Sequence, residues 1–190
     1  MDNSLMKESL DKALDVLRKG GVIIYPTDTI WGIGCDATNE EAVKRIFSIK
    51  RRDDAKAMLM LVGSDGQLQQ FVENVPDVAW ELIDAAVDPL TIVYDHPKGI
   101  APNLLAEDGS AGFRITGEYF SRTLCQRLRH PLVSTSANIS GKPSPRRFAD
   151  ISPEILEAAD YVVECRREDT SSTPSNIIKL SDNGVFTIIR

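Results

Sequence analysis

The chain has 190 residues, 42% hydrophobic and 26% charged, and its 22 Lys and Arg against 28 Asp and Glu give a net charge of −6. This composition excludes disorder, collagen-like structure and coiled coil, and the length suffices to bury a core without disulfides or a structural metal. A chain-wide basic footprint for nucleic acid is absent, while a local basic cleft is compatible with the net charge.

One domain over residues 1–190 is expected, with no extra C-terminal domain. Residues 4–19 read as an amphipathic helix, with Leu5, Leu10, Ala13, Leu14 and Leu17 on one face and Gly20-Gly21 as its stop. Val22 to Tyr25 is a short buried strand closed by Pro26, followed by a Thr/Gly-rich loop through Thr38. Asn39 is a good N-cap for a helix running to Lys50, with Glu40 and Glu41 in its first turn. Met58 to Val62 is a strand, and 66–87 is helical with a break at Pro76. Strands at 91–94, 111–115 and 132–135 follow, with a Pro/Gly loop over 95–109 and a helix over 117–129 between them. A Ser/Asn/Gly/Pro stretch spans 136–145, then a helix near 153–159 and a strand at 161–163. Two terminal strands, 176–180 and 185–189, flank Ser-Asp-Asn-Gly, a hairpin signal. Strands alternating with helices, plus that hairpin, predict an α/β fold: one twisted, largely mixed sheet flanked by helices.

The chain's three cysteines (Cys35, Cys125 and Cys165) are odd in number, with no C-x-x-C spacing, which fits a reducing compartment. No apolar run approaches the roughly 18 residues of a membrane span, and the acidic amphipathic N-terminus is not a signal peptide. A cytoplasmic protein with no membrane contact is expected.

Several motifs are missing. Gly141-Lys142 lacks the upstream glycine of a phosphate-binding loop, and Gly32-Ile33-Gly34 lacks the third glycine of a dinucleotide fingerprint. The two histidines, His96 and His130, argue against a His-rich metal site, and no metal-ligating residue is assigned. His130, just before Pro131, reads as a helix-end cation, and Cys35 as a small packed residue.

Three segments place hydroxyls or cations just after a buried strand, where α/β proteins gather ligand sites. In Tyr25–Ala37, Thr27 and Thr29 can bind a ligand while Gly32 and Gly34 let backbone approach it; an ordinary Thr-capped turn is the alternative. Lys50-Arg51-Arg52, with Lys56 beyond, is either a solvated helix end or a triphosphate clamp. In Pro131–Pro143, a period of two puts Ser134 and Ser136 on one side, with Asn138 and Ser140 continuing into a glycine turn. These neutral donors suit a phosphate or a carboxylate, though Ser/Asn-rich turns are common. Arg114, in the apolar strand Ala-Gly-Phe-Arg-Ile, is either an edge or paired arginine or a carboxylate holder.

Together the segments resemble the YrdC-type threonylcarbamoyl-AMP synthases. The pattern of that family, roughly YPT(D/E)T-x-(Y/F/W)-G-(L/I)-G, K-x-R, PGP-(L/T)-T, VR-x-P and S-x-S/T-x-N with SG-x-P, is met in order by Tyr25 to Gly34, Lys50-x-Arg52, Pro89-Leu90-Thr91, Phe113-Arg114 and Ser134 to Pro143. The chain departs from it at Val87-Asp88-Pro89, at Thr116-Gly117 and at Pro174-Ser175-Asn176.

The resemblance implies an α/β sheet around an open cationic cleft. It implies an enzyme that makes L-threonylcarbamoyladenylate and pyrophosphate from L-threonine, bicarbonate or CO₂, and ATP. Downstream tRNA threonylcarbamoyl-transfer proteins would then modify tRNA, with at most weak direct tRNA contact by this chain. Mg²⁺ would come with ATP, without an assigned protein ligand. By resemblance, Lys50 and Arg52 are catalytic, and Lys50, Arg52, Lys56, Ser110, Ser136, Asn138, Ser144 and Arg190 bind ATP. Thr27, Thr29, Arg114, Ser134 and Ser172 would hold threonine, with Arg114 on its carboxylate. The departures leave open a paralogue with another substrate, and an RNA-binding module without catalysis is the rival reading.

Overall fold

The apolar stripe at the start of the chain forms helix α1 (Asn3–Arg18), burying Met6, Leu10, Ala13, Leu14 and Leu17. Gly20 ends it in the left-handed region at φ +78, which a glycine adopts without steric cost. The computed structural model describes residues 3–51, 58–170 and 174–190. Arg52, Lys56 and Ser172 therefore lie outside the described residues.

Strand β1 (Ile23–Tyr25) turns back into β2 (Gly32–Gly34), pairing Ile24 with Ile33. Helix α2 (Glu40–Lys50) starts where expected, the Asn39 side chain accepting from the Ala42 N–H at 3.0 Å. Then come β3 (Leu59–Val62), α3 (Asp65–Phe71), α4 (Asp77–Ala85), β4 (Leu90–Tyr94) and β5 (Ala111–Ile115). Helix α3 ends at Phe71, and α4 starts just after Pro76, its N-cap, where a missing N–H breaks no intrahelical bond. Helix α5 (Tyr119–Leu128) and β6 (Leu132–Ser136) follow. Helix α6 (Pro153–Ala158) leads into β7 (Tyr161–Val162) and the hairpin of β8 (Asn176–Leu180) and β9 (Phe186–Ile188).

Among the described residues these strands make one nine-stranded sheet in the order β7-β1-β2-β6-β3-β5-β4-β8-β9. The pairs β1–β7, β3–β5 and β4–β8 are parallel and the others antiparallel, so the sheet is mixed. Its centre is apolar: Ile23, Ile33, Met60, Leu61, Leu132 and Val133 are all fully buried. Helices α1 and α5 pack against each other and against strands β1 and β3. The first turn of α5 is capped by Glu118, whose carboxylate accepts from the Phe120 and Ser121 N–H groups at 2.7 Å each. No helix among the described residues is long and apolar enough to cross a membrane.

Two differences from the sequence reading matter for the site. Residues 32–34, expected as loop, form β2 with neighbours on both sides. Gly34 is required by packing: a Cβ there would sit 2.1 Å from the Val133 carbonyl oxygen and 2.9 Å from the Tyr25 ring. Its glycine serves the sheet, whereas Gly32, at the other end of β2, lines the cavity and faces Thr27 and the Ser134 hydroxyl.

Candidate active site

A cavity of about 260 Å³ opens where four distant segments meet. Its walls are Thr27, Thr29, Ile30 and Gly32 from the β1–β2 turn, Arg114 from the end of β5, Ser134 to Ser136 from β6 with Ser144 beyond, and Pro174, Ser175, Ile177 and Arg190 from the last hairpin. Met58 and Leu59 add an apolar side. Seven of the residues singled out in the sequence thus come together: Thr27, Thr29, Arg114, Ser134, Ser136, Ser144 and Arg190.

The turn after β1 is fixed by one hydroxyl. Thr27 Oγ1 accepts from the Thr29 N–H at 3.0 Å and the Ile30 N–H at 3.2 Å, and donates its proton to the Ile30 carbonyl at 2.7 Å. The Thr27 and Thr29 hydroxyls lie 3.0 Å apart. Thr29 Oγ1 also accepts from Arg114 Nη2 at 3.5 Å.

Arg114 is the buried charged group of the cavity wall, with a side chain only 3% exposed, while Arg190 is the second arginine of that wall. Its Nη2 donates to Asp28 Oδ1 at 2.8 Å. Its Nε is buried with no hydrogen-bond partner among the described residues. An orphaned buried donor is costly, and an arginine presents its N–H groups in a fork that matches a carboxylate. Burial pushes the Asp28 carboxyl above the usual range, and the Arg114 charge only partly offsets this. Asp28 itself lines a second cavity, about 420 Å³, with Val87, Asp88, Pro89, Ile115, Gly117 and Glu118 among its walls. The Asp28–Arg114 pair therefore stands between the two cavities, and positions that depart from the family pattern surround the second. Thr116, another of them, has its hydroxyl 2.8 Å from Ser121 Oγ and accepts from the Glu118 N–H at 3.3 Å, so it braces the cap of α5.

Arg190 is held by the chain it faces: its Nε and Nη2 donate to the Ser175 carbonyl at 3.3 and 3.2 Å. Ser175 in turn shares a buried hydroxyl contact of 3.0 Å with Thr91.

Lys50 and Asn138 stand behind this wall. The Lys50 side chain is 1% exposed, and its Nζ donates to the Ser136 carbonyl, to the Asn138 carbonyl at 2.7 Å and to Asn138 Oδ1 at 3.3 Å. The Lys50 carbonyl accepts from the Ser140 N–H at 2.9 Å. The lysine thus grips the Ser136–Ser140 loop with both its ends. Asn138 donates its amide to the Lys142 carbonyl at 2.5 Å, closing the loop on itself.

Ser110 is not brought to the cavity. It precedes β5, so Arg114 at the strand's other end lies roughly 13 Å away by strand rise. Its hydroxyl donates to Asp108 Oδ1 at 2.6 Å, and Asp108 also holds the Lys179 ammonium. His130 pairs with Asp36 at 2.8 Å, outside the cavity wall. Cys35 is fully buried, as its small apolar character suggested.

The sequence reading passed over Asp28, Ser175 and the apolar wall of Ile30, Met58, Leu59 and Ile177. Asp28 lay inside the quoted Tyr25–Ala37 segment, but its partner is far away in sequence, and the successive pairings of β2 with β6, β6 with β3 and β3 with β5 bring Arg114 across.

The chain is 31% identical to the threonylcarbamoyl-AMP synthase of Idiomarina loihiensis over 173 residues, covering 88% of this chain and 91% of that protein. It is 35% identical to the threonylcarbamoyl-AMP synthase of Stenotrophomonas maltophilia over 164 residues, covering 84% and 88%. The crystal structure of P. abyssi Sua5 complexed with L-threonine superposes with a TM-score of 0.80 over 90% of this chain at 24% identity, so the fold is shared. This chain spans about half of that Sua5 chain, 50%. The family model for Sua5, YciO and YrdC, whose description reads "Telomere recombination", matches residues 15–190, and with relatives this similar along most of their length the chain belongs to that family.

Proposed function

We propose that this protein is a threonylcarbamoyl-AMP synthase, joining L-threonine, bicarbonate or CO₂, and ATP into L-threonylcarbamoyladenylate with release of pyrophosphate. The observation that carries the reading is Arg114: a buried guanidinium in a hydroxyl-lined cavity, with one N–H group on Asp28 and its Nε orphaned. That arrangement suits the carboxylate of a small amino acid. Relatives at 31% and 35% identity bear the synthase name, and the Sua5 structure of the same fold was obtained with L-threonine.

The chemistry asks the protein for position and charge more than for covalent participation. Threonine must present a neutral amine to CO₂, and the resulting carbamate oxygen then attacks the α-phosphorus as pyrophosphate leaves. Holding the reactants in line and offsetting phosphate charge supply most of the barrier reduction in such a reaction. Arg114 anchors the carboxylate, with Thr29 and Ser134 at its side. Ser136, Ser144 and Arg190 line the wall on which the nucleotide would lie. Lys50 and Asn138 shape the loop that carries Ser136. Arg52, Lys56 and Ser172 are assigned to phosphate and threonine by the family pattern alone. Mg²⁺ would enter on the ATP phosphates. Downstream proteins that transfer the threonylcarbamoyl group to tRNA complete the reading, which places the enzyme in the cytoplasm.

The test is pyrophosphate release from ATP and bicarbonate, with and without L-threonine, with mass spectrometry of the adduct and a panel of other amino acids. Threonine-dependent release with the adduct supports the synthase. Release that is equal without threonine overturns it.

A further inference from the structure

Arg114 can serve a substrate carboxylate only if its fork is held in one orientation with one edge left open. Two features of the structure do this. Asp28 accepts from a single nitrogen, Nη2, at 2.8 Å, and so leaves Nε without a partner. Asp28 is itself fixed, because it sits between Thr27 and Thr29 in the turn that the Thr27 hydroxyl closes. A carboxylate that took Nε and Nη2 together would occupy the edge a ligand needs. Asp28 reaches Arg114 from the side of the second cavity, so it does not itself line the first.

We propose that Asp28 is a positioning residue for the amino-acid substrate: it aims the Arg114 guanidinium and keeps its Nε edge open for the substrate carboxylate. Removing Asp28 frees a buried arginine to swing toward the Oγ atoms of Thr29 and Ser134 or toward solvent, and the open edge is lost. What matters is the oxygen that accepts from Nη2, so an asparagine that keeps an acceptor oxygen there restores most of the effect. The inference rests on the reading of Arg114 as carboxylate holder.

Calorimetric titration of L-threonine and of ATP into the wild type, Asp28→Ala and Asp28→Asn tests this, with the threonine and ATP KM values measured beside it. Asp28→Ala is expected to weaken threonine about tenfold, the scale of one misaligned charge-assisted hydrogen bond, and to leave ATP affinity unchanged. Asp28→Asn is expected to recover binding to within about threefold. Unchanged threonine affinity in Asp28→Ala overturns the proposal. An equal loss for ATP overturns it too, because general loosening of the fold would touch both ligands. Should Asp28→Ala fail to fold, Asp28→Glu is read in its place: its carboxylate is displaced by one methylene, and unchanged threonine affinity there overturns the proposal. A wild type that binds no amino acid also overturns it. Failure of the synthase reading looks different: the wild type binds threonine but releases no threonine-dependent pyrophosphate, and the binding comparison still decides the role of Asp28.

Discussion

The ammonium of Lys50 donates to the backbone carbonyl of Asn138 at 2.7 Å, from a side chain that is 1% exposed. A cation in that position ties the end of α2 to the loop that carries Ser136. Lys50→Met would leave the Ser136 and Asn138 carbonyls and the Asn138 side-chain oxygen without that donor. The expected cost is about 2–4 kcal/mol, which lowers Tm by roughly 5–10 °C, together with a loss of kcat/KM of about a hundredfold. Arg52→Ala is expected to abolish most turnover with Tm near the wild-type value. Thermal unfolding and steady-state kinetics on both variants separate the two roles.

Arg114→Lys keeps the charge and removes the fork. A lysine ammonium is a point charge and cannot present the Nε and Nη2 edges at once. The threonine KM is expected to rise at least about tenfold while the ATP KM stays within about twofold. Varying each substrate at saturation of the other reads the split.

Gly34→Ala brings a Cβ to 2.1 Å from the Val133 carbonyl oxygen, where backbone on both sides must move. A loss of about 3 kcal/mol or more is expected in urea unfolding. Gly66→Ala, where a Cβ meets nothing within 4 Å, is expected to be neutral or up to about 1 kcal/mol more stable.

The three cysteines are free and buried. Burial pushes the Cys125 thiol up to about 12 and raises those of Cys35 and Cys165. A disulfide reagent at pH 8 is therefore expected to label the folded protein slowly and all three thiols at once in denaturant.

Asp108 is held well below the usual carboxylate range, first by the Lys179 ammonium and then by the Ser110 hydroxyl and N–H. A depressed folded-state value means the pair's stabilisation is fully present above the unfolded value of about 3.9 and is lost as pH falls from there through the depressed folded-state value. The pair is half exposed, so Asp108→Asn is expected to cost under about 1 kcal/mol at pH 7. The difference from wild type should shrink steadily below pH ~4. Urea unfolding across pH checks the direction.

The fold class, the α2 cap at Asn39 and the terminal hairpin were legible because each rests on local chemistry: a side-chain cap, an apolar period, a glycine turn. Strand β2 was not, because Gly-Ile-Gly is a poor strand by propensity and owes its conformation to β1 and β6 on either side. Ser134 and Ser136 were visible in the sequence through the period of two along β6, whereas Ser144 came from the resemblance alone. Ser110, named from the resemblance alone, precedes β5 and does not line this cavity. The Asp28–Arg114 pair was invisible, since no local pattern marks two residues that only the register of the sheet unites.

That the cavity is walled by segments from both ends of the chain has a kinetic consequence. The β1–β2 turn, β5, β6 and the final hairpin must all be in place, and β8 reaches the site only after pairing with β4, from which β5, α5, β6, α6 and β7 separate it in the chain. Such non-local closures are slow, because loop entropy is lost before contacts reward it. Threonine binding should therefore return later in refolding than helical signal does, and substrate would act as a ligand that draws the last step of folding toward completion.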